Sequence, residues 1–198
     1  MVSPSGSTPW SGPMSPADHP LKSRLVEVLR ARSVRWGEFT LASGKTSDLY
    51  VDARLTSLSP DGAPIIAEML LDTIADDVRA IGGPVTGADP IVGATVVKAA
   101  LRDRMLFGFM VRKAAKGHGR GRLVEGMDNL EKGDKVVVVE DTTTTGGSLV
   151  KALRHIEAAG LVVDEVVVVV DREEGAAEAI ESAGYRFRAL AQRRDLTD

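Results

Sequence analysis

The sequence predicts an α/β protein: a doubly wound, mainly parallel sheet of about five strands between helical layers, with a small hood at the N-terminal end. Three observations point to it. Val136–Val139 and Val166–Val170 are runs of valine bounded by polar residues, as expected of strands buried on both faces in the middle of a parallel sheet. Segments of helical spacing separate the strand-like runs, giving the strand, helix, strand, helix alternation from which doubly wound sheets are built. The stretches that follow the runs are rich in Gly, Thr and charged residues, at the carboxyl ends of strands where such sheets open their ligand crevice.

Length and composition narrow the function. A chain of 198 residues suits one domain with a substantial core. A net charge of −3 and a pI near 5.7 argue against a protein that coats nucleic acid. The absence of cysteine excludes disulfides and thiolate catalysis and is compatible with a reducing compartment. No apolar run approaches the roughly 18 residues of a membrane span, so neither nucleic acid nor membrane is an expected partner. His19, His118 and His155 share no ligand spacing, and no protein-only metal site is expected.

Residues 1–19 hold four of the nine prolines among many Ser and Gly, a composition too poor in apolar surface to order itself. They are expected to form a disordered extension ahead of one domain at 20–198. Pro20 suits a first helical turn, and Leu21, Leu25, Val28 and Leu29 form a stripe for a helix ending near Ser33. Trp36 to Asp52 alternates like two short strands around Ser43-Gly44-Lys45, a hairpin completing a hood over about 20–55. Ser59-Pro60 opens a helix through Ile65, Ile66, Met69, Leu70 and Ile74. Gly82-Gly83-Pro84 reads as the end of a connection, Val85–Pro90 as a short strand and sharp loop, and Ile91–Arg102 as a helix. Leu106–Val111 is another buried strand. Beyond the central unit, Ala176–Ala183 is helical and Arg186–Leu190 a closing strand.

The central unit is Val136 to Ser148. Its strand is expected to stop at Glu140, followed by Asp141-Thr142-Thr143-Thr144-Thr145-Gly146-Gly147-Ser148 and a helix over Leu149–Ala159. Small hydroxyl and glycine residues before a helix make an anion cradle of backbone N–H groups, hydroxyls and helix dipole. Two acids at its mouth would repel a bare phosphate. They fit a ligand that also carries hydroxyls, since a carboxylate is a pure acceptor and can bind a vicinal diol bidentately. Glu140 and Asp141 on a ribose and Thr142–Ser148 on its 5-phosphate together imply a ribose 5-phosphate. Other phosphate motifs fail: Gly44-Lys45-Thr46 has Phe39 where a Gly-x-x-x-x-Gly-Lys-Ser/Thr loop needs glycine.

These residues resemble the phosphoribosyl diphosphate (PRPP) signature of the type I phosphoribosyltransferases. Phe39-Thr40-Leu41-Ala42-Ser43-Gly44-Lys45 and Tyr50-Val51-Asp52-Ala53-Arg54 are similar to the hood of the orotate phosphoribosyltransferases within that family. Arg112-Lys113-Ala114-Ala115-Lys116-Gly117-His118-Gly119 is similar to their catalytic loop. By itself the basic run from Arg112 to Arg122 would be a solvated, mobile surface. The resemblance covers about Leu21 to Leu190. It implies a type I phosphoribosyltransferase fold and transfer of the phosphoribosyl group from PRPP to orotate, giving orotidine 5-monophosphate and pyrophosphate in pyrimidine synthesis. A transferase for another base and a PRPP-sensing regulator are the alternatives.

The resemblance also implies roles. Lys116 and His118, with Lys113 and Arg112, would close over the diphosphate, and Lys113 to Gly126 would order only over bound ligand. Glu140, Asp141, Thr142, Thr143, Thr144, Thr145, Gly146, Gly147 and Ser148 would hold PRPP, Asp141 acting in catalysis with Lys113, Lys116 and His118. Arg172, with Thr144, would take orotate, a guanidinium matching its carboxylate bidentately; pairing of Arg172 with Glu173 or Glu174 is the other use of that position. Magnesium is the implied cofactor. A cytoplasmic homodimer that exchanges the loop between sites is the implied assembly. Two departures stand out. Ala42 replaces a frequent basic residue, and the Val85–Asp89 loop lacks the lysine many relatives place there, leaving Asp89 as a weak site candidate or a loop cap.

Overall fold

The computed structural model describes residues 14–40, 46–114 and 123–197. The Ser43-Gly44-Lys45 turn, Ala42, Lys116 and His118 lie outside them. After helix α1 (Lys22–Arg32) come the antiparallel hood strands β1 (Val34–Thr40) and β2 (Thr46–Val51) and helices α2 (Arg54–Ser57) and α3 (Ala63–Thr73). The core then runs β3 (Ala80–Pro84), α4 (Asp89–Ala100), β4 (Phe107–Val111), β5 (Val124–Glu125), β6 (Lys135–Thr143), α5 (Gly147–Ala158), β7 (Val162–Asp171), α6 (Ala176–Ser182), β8 (Phe187–Gln192) and α7 (Arg193–Thr197).

The sheet order is β5-β4-β3-β6-β7-β8. Five strands are mutually parallel, as expected from the sequence. The two-residue β5 adds a sixth, antiparallel to β4 at the edge. The valine runs serve both faces: Val137, Val139, Val167 and Val169 face the core shared with α1, α3 and α4, while Val136, Val138, Val166 and Val168 face the one shared with α5 and α6. That division is why these strands are uniformly apolar.

From β3 the chain winds outward to β4, and from β6 it winds the opposite way to β7 and β8. The reversal falls between β3 and β6, which puts the ligand crevice at their carboxyl ends.

The structure revises several boundaries. Gly82-Gly83-Pro84 belong to strand β3 and do not end a connection. The glycines stand there because the neighbours come too close for a side chain: a Cβ on Gly82 would lie 2.4 Å from the Phe109 ring and carbonyl oxygen, and one on Gly83 2.0 Å from the Val139 carbonyl oxygen. Strand β6 does not stop at Glu140; it continues to Thr143, pairing Thr142 with Val170 and Thr143 with Asp171. Helix α3 begins at Ala63, and Ser59-Pro60 forms the preceding turn, where Ser59 Oγ accepts from the Gly62 N–H at 3.0 Å.

The expected extension is also shorter than residue 19. Residues 14–19 pack on the domain: the Met14 N–H donates to the Asp72 carbonyl at 3.0 Å, Pro16–Asp18 form a 3-10 turn, and the His19 ring is buried 3.2 Å from Asp72 Oδ2. Its Nδ1 accepts from the Leu21 N–H at 3.1 Å. Residues 1–13 lie outside the described residues.

Candidate active site

Strand β6 carries Glu140 and Asp141 to the crevice and hands over to the cradle that opens α5. Asp141 Oδ1 accepts from the Thr142 N–H at 2.7 Å, which turns the carboxylate back along its own strand, and Glu140 Oε1 accepts from the Asp141 N–H at 3.2 Å. Thr145, Gly147 and Ser148 are exposed, and the space a Gly147 side chain would occupy is open to 4 Å. The first turn of a 12-residue helix therefore presents its N–H groups to solvent beside two carboxylates, the arrangement that suits an anion with neighbouring hydroxyls.

The loop after β3 forms the opposite wall. A Cβ on Gly87 would lie 2.3 Å from Glu140 Oε1 and 2.6 Å from Asp141 Oδ1, so only glycine lets this backbone rest on the acid pair. Burial, followed by the charge of Asp141, pushes the Glu140 carboxyl up to about 8, while Lys113 pulls the other way. Near neutral pH the empty pair thus holds a proton and is less repulsive to phosphate than two free carboxylates.

Arg172 follows the end of β7, buried, with its N–H donating to the Thr143 carbonyl at 3.1 Å. Arg172 and the 142–148 cradle are thereby tied backbone to backbone. Its guanidinium meets Glu174 Oε1 at 3.0 Å, so the pairing with Glu174 weighed from the sequence is present in the ligand-free protein. Glu173 turns away to Arg194 of α7, 3.2 Å apart, and Arg193 reaches Asp48 of the hood at 2.6 Å. Helix α7, which sequence reading missed, therefore bridges the Asp171–Glu174 turn and the hood.

Of the residues expected to form the site, Lys113, Glu140, Asp141, the 142–148 cradle and Arg172 gather at the carboxyl ends of β4, β6 and β7. Arg112 lies at the end of β4 with its N–H donating to Leu123 and its guanidinium 3.8 Å from Glu125. Asp89 sits in the first turn of α4, where its charge suits the helix dipole. Its Oδ1 is buried without a hydrogen-bond partner among the described residues, and burial raises its carboxyl above the ordinary range. It does not cap a backbone N–H through that oxygen. Gly87 and Arg54 were missed as site residues, although Arg54 closes the Tyr-Val-Asp-x-Arg piece; its Nε lies 3.9 Å from Asp141 Oδ2. A cavity of about 670 Å³ between 123–128 and the second half of α5 shares no residue with this crevice.

The crevice lies at the switch point of a doubly wound sheet, with an acid pair, a hydroxyl-rich cradle and a glycine wall, as the resemblance to the phosphoribosyltransferases implies. The sequence matches the family profile of the "Phosphoribosyl transferase domain" over residues 65–183. It is 45% identical over 172 residues to an orotate phosphoribosyltransferase of Rhodopseudomonas palustris, covering 85% of this chain and 92% of that one. The crystal structure of Mycobacterium tuberculosis orotate phosphoribosyltransferase with Fe(III) dicitrate superposes with a TM-score of 0.77 at 40% identity, covering 90% of this chain and all of the other. The same enzyme in complex with PRPP gives 0.71 at 36% identity, over 89% and 99%. The chain belongs to the orotate phosphoribosyltransferase family.

The position of Glu140 makes stability depend on pH. The folded protein keeps this proton up to about pH 8, whereas the unfolded chain releases it near the ordinary carboxyl value of 4.5. Between these values the unfolded state binds fewer protons, so stability falls as pH rises. Glu140→Gln, which cannot ionise, is expected to flatten that decline in urea titrations from pH 5 to 8. An identical pH slope in both proteins would mean that the carboxyl is ionised throughout.

Proposed function

We propose that this chain catalyses attack of N1 of orotate on C1 of PRPP, forming the C1–N1 bond and breaking the bond from C1 to the pyrophosphate oxygen, the phosphoribosyl transfer of pyrimidine synthesis. The observation that carries this reading is the placement of the acid pair and cradle at the β3/β6 switch, one strand from the buried Arg172. Asp141 and Glu140 receive the ribose hydroxyls, Thr142–Ser148 the 5-phosphate, and Arg172 with Thr144 the orotate carboxylate. Charge develops on the departing diphosphate while the sugar becomes oxocarbenium-like, so the protein's task is to stabilise that charge and exclude water. Lys113 and Arg112, with Lys116 and His118, supply cations for it; the resemblance supports the last two.

The acid pair fits magnesium. Glu140 holds its proton first because it is buried and next because Asp141 is close, a repulsion that a divalent cation would relieve, and no cluster of three or more His, Asp or Glu at metal-holding distance occurs among the described residues. Glu140 and Asp141 would hold the ion through water and ribose hydroxyls. Bound there, it supplies charge neutralisation to the diphosphate.

We further propose a cytoplasmic homodimer with the basic loop acting in the neighbouring site. Val97 on α4, Leu101 at its C-terminal cap and Met105 just beyond are strongly exposed, an apolar row that a second copy would cover. The lack of cysteine suits a reducing compartment.

Two experiments check this reading. Turnover followed by orotate absorbance should require PRPP and magnesium. Arg172→Ala should weaken orotate far more than PRPP, by about 2–4 kcal/mol, since a charge-assisted pair to the carboxylate is lost. Equal weakening of both substrates would assign Arg172 a structural role, and turnover of adenine or uracil in place of orotate would refute the substrate. For the loop, Lys116→Ala and Asp141→Asn should each be inactive alone and regain turnover as a hybrid dimer. Hybrid dimers without activity would place the loop in its own site.

A further inference from the structure

The resemblance implies that the loop after β3 receives the diphosphate, which would bring several negative charges to a wall that offers no cation: the loop reads Val85-Thr86-Gly87-Ala88-Asp89. The loop has no lysine or arginine to face that charge, and the carboxyl groups of Asp89 and Asp141 lie on or beside it. Resting on the functional reading above, we propose that Arg54 is a diphosphate-binding residue that supplies the cation missing from the β3 loop.

The geometry carries this. Asp141 is touched from two sides: Oδ1 faces Gly87 of the β3 loop, and Oδ2 lies 3.9 Å from Arg54 Nε. Arg54 therefore stands beside the same wall, at the junction of hood and core. It is held there by Asp52, whose Oδ1 accepts from Nε at 2.8 Å and from the Arg54 N–H at 3.2 Å, while Oδ2 accepts from Nη2 at 3.0 Å. Asp52 is in turn fixed by its own N–H, which donates to the Ser33 carbonyl at 3.0 Å. The pair engages the Nε and Nη2 edge of the guanidinium. Nη1 makes no hydrogen bond among the described residues, and the side chain is 48% exposed where that of Asp141 is 13%.

An exposed pair of this kind contributes little to stability, about 0–1 kcal/mol. What it achieves is orientation: a planar fork held by one edge leaves its remaining donors available for phosphate oxygens, with little side-chain freedom left to lose on binding. Arg54 approaches Asp141 Oδ2, the oxygen that does not accept from the Thr142 N–H, so it can meet the diphosphate without displacing the 142–148 cradle that would receive the 5-phosphate.

The test separates the two ends of the substrate. Binding of PRPP, pyrophosphate and ribose 5-phosphate, each with magnesium, is measured by calorimetry for the wild type, Arg54→Ala and Arg54→Gln, with thermal melts to establish that the variants fold. Both variants should bind PRPP and pyrophosphate about tenfold or more weakly, the effect of losing one charge-assisted contact, and ribose 5-phosphate as the wild type does; Arg54→Lys should recover part of the loss. Equal weakening of ribose 5-phosphate and PRPP, or unaltered pyrophosphate binding, would overturn the inference. A wild type that binds neither PRPP nor pyrophosphate would overturn the functional reading and this inference with it.

Discussion

The approach of β3 to β6 is the constraint on which the rest of the site depends. At Gly83 the backbone passes so close to Val139 that a methyl group would fall within 2.0 Å of its carbonyl oxygen, and at Gly87 the following loop rests on the carboxyl groups of Glu140 and Asp141. A side chain at Gly83 would force the strands apart, at a cost of about 1–3 kcal/mol or more for an overpacked core, and one at Gly87 would push the two acid side chains out of place. The two loops that flank the topological reversal thus become opposite walls of one crevice. The buried valines fix that spacing from below, because both faces of β6 and β7 are filled.

Placing acids at the proposed phosphate site is workable because the same close packing changes their charge. Burial against the β3 loop raises the Glu140 carboxyl, so the empty pair carries less negative charge than its composition suggests. Cations are set around the rim rather than inside the cradle: Lys113 at the end of β4, Arg54 from the hood, Arg172 after β7. Each comes from a different element. The site therefore requires hood, core and C-terminal helix to be in register, which the Arg193–Asp48 and Arg194–Glu173 pairs assist.

Much of this was legible in the sequence because it is local. Strand, cradle and helix occur within one stretch, Val136 to Ala159, and the apolar runs announce their own burial. Arg172 could be placed beside the crevice because it follows a valine strand directly. What stayed illegible was non-local. Gly82-Gly83-Pro84 read as a connection because turn-forming residues were taken at face value, when the glycines answer to Phe109 and Val139 on neighbouring strands. Asp141 to Thr143 read as loop because they are polar, yet pairing with β7 keeps the strand extended to Thr143. The ordering of Met14 to His19 depends on Asp72, more than fifty residues away, and α7 depends on ion pairs to the hood and to Glu173.

The central claim is that the acid pair recognises the ribose hydroxyls of a 5-phosphorylated sugar. Calorimetric comparison of ribose 5-phosphate with 2-deoxyribose 5-phosphate, in the wild type and in Asp141→Asn, tests it most directly. The account predicts that the wild type binds the deoxy sugar more weakly by about 1.5–3 kcal/mol, the worth of a hydrogen bond to a charged acceptor, and that the difference shrinks in the variant. Equal affinity of the wild-type protein for both sugars would contradict it.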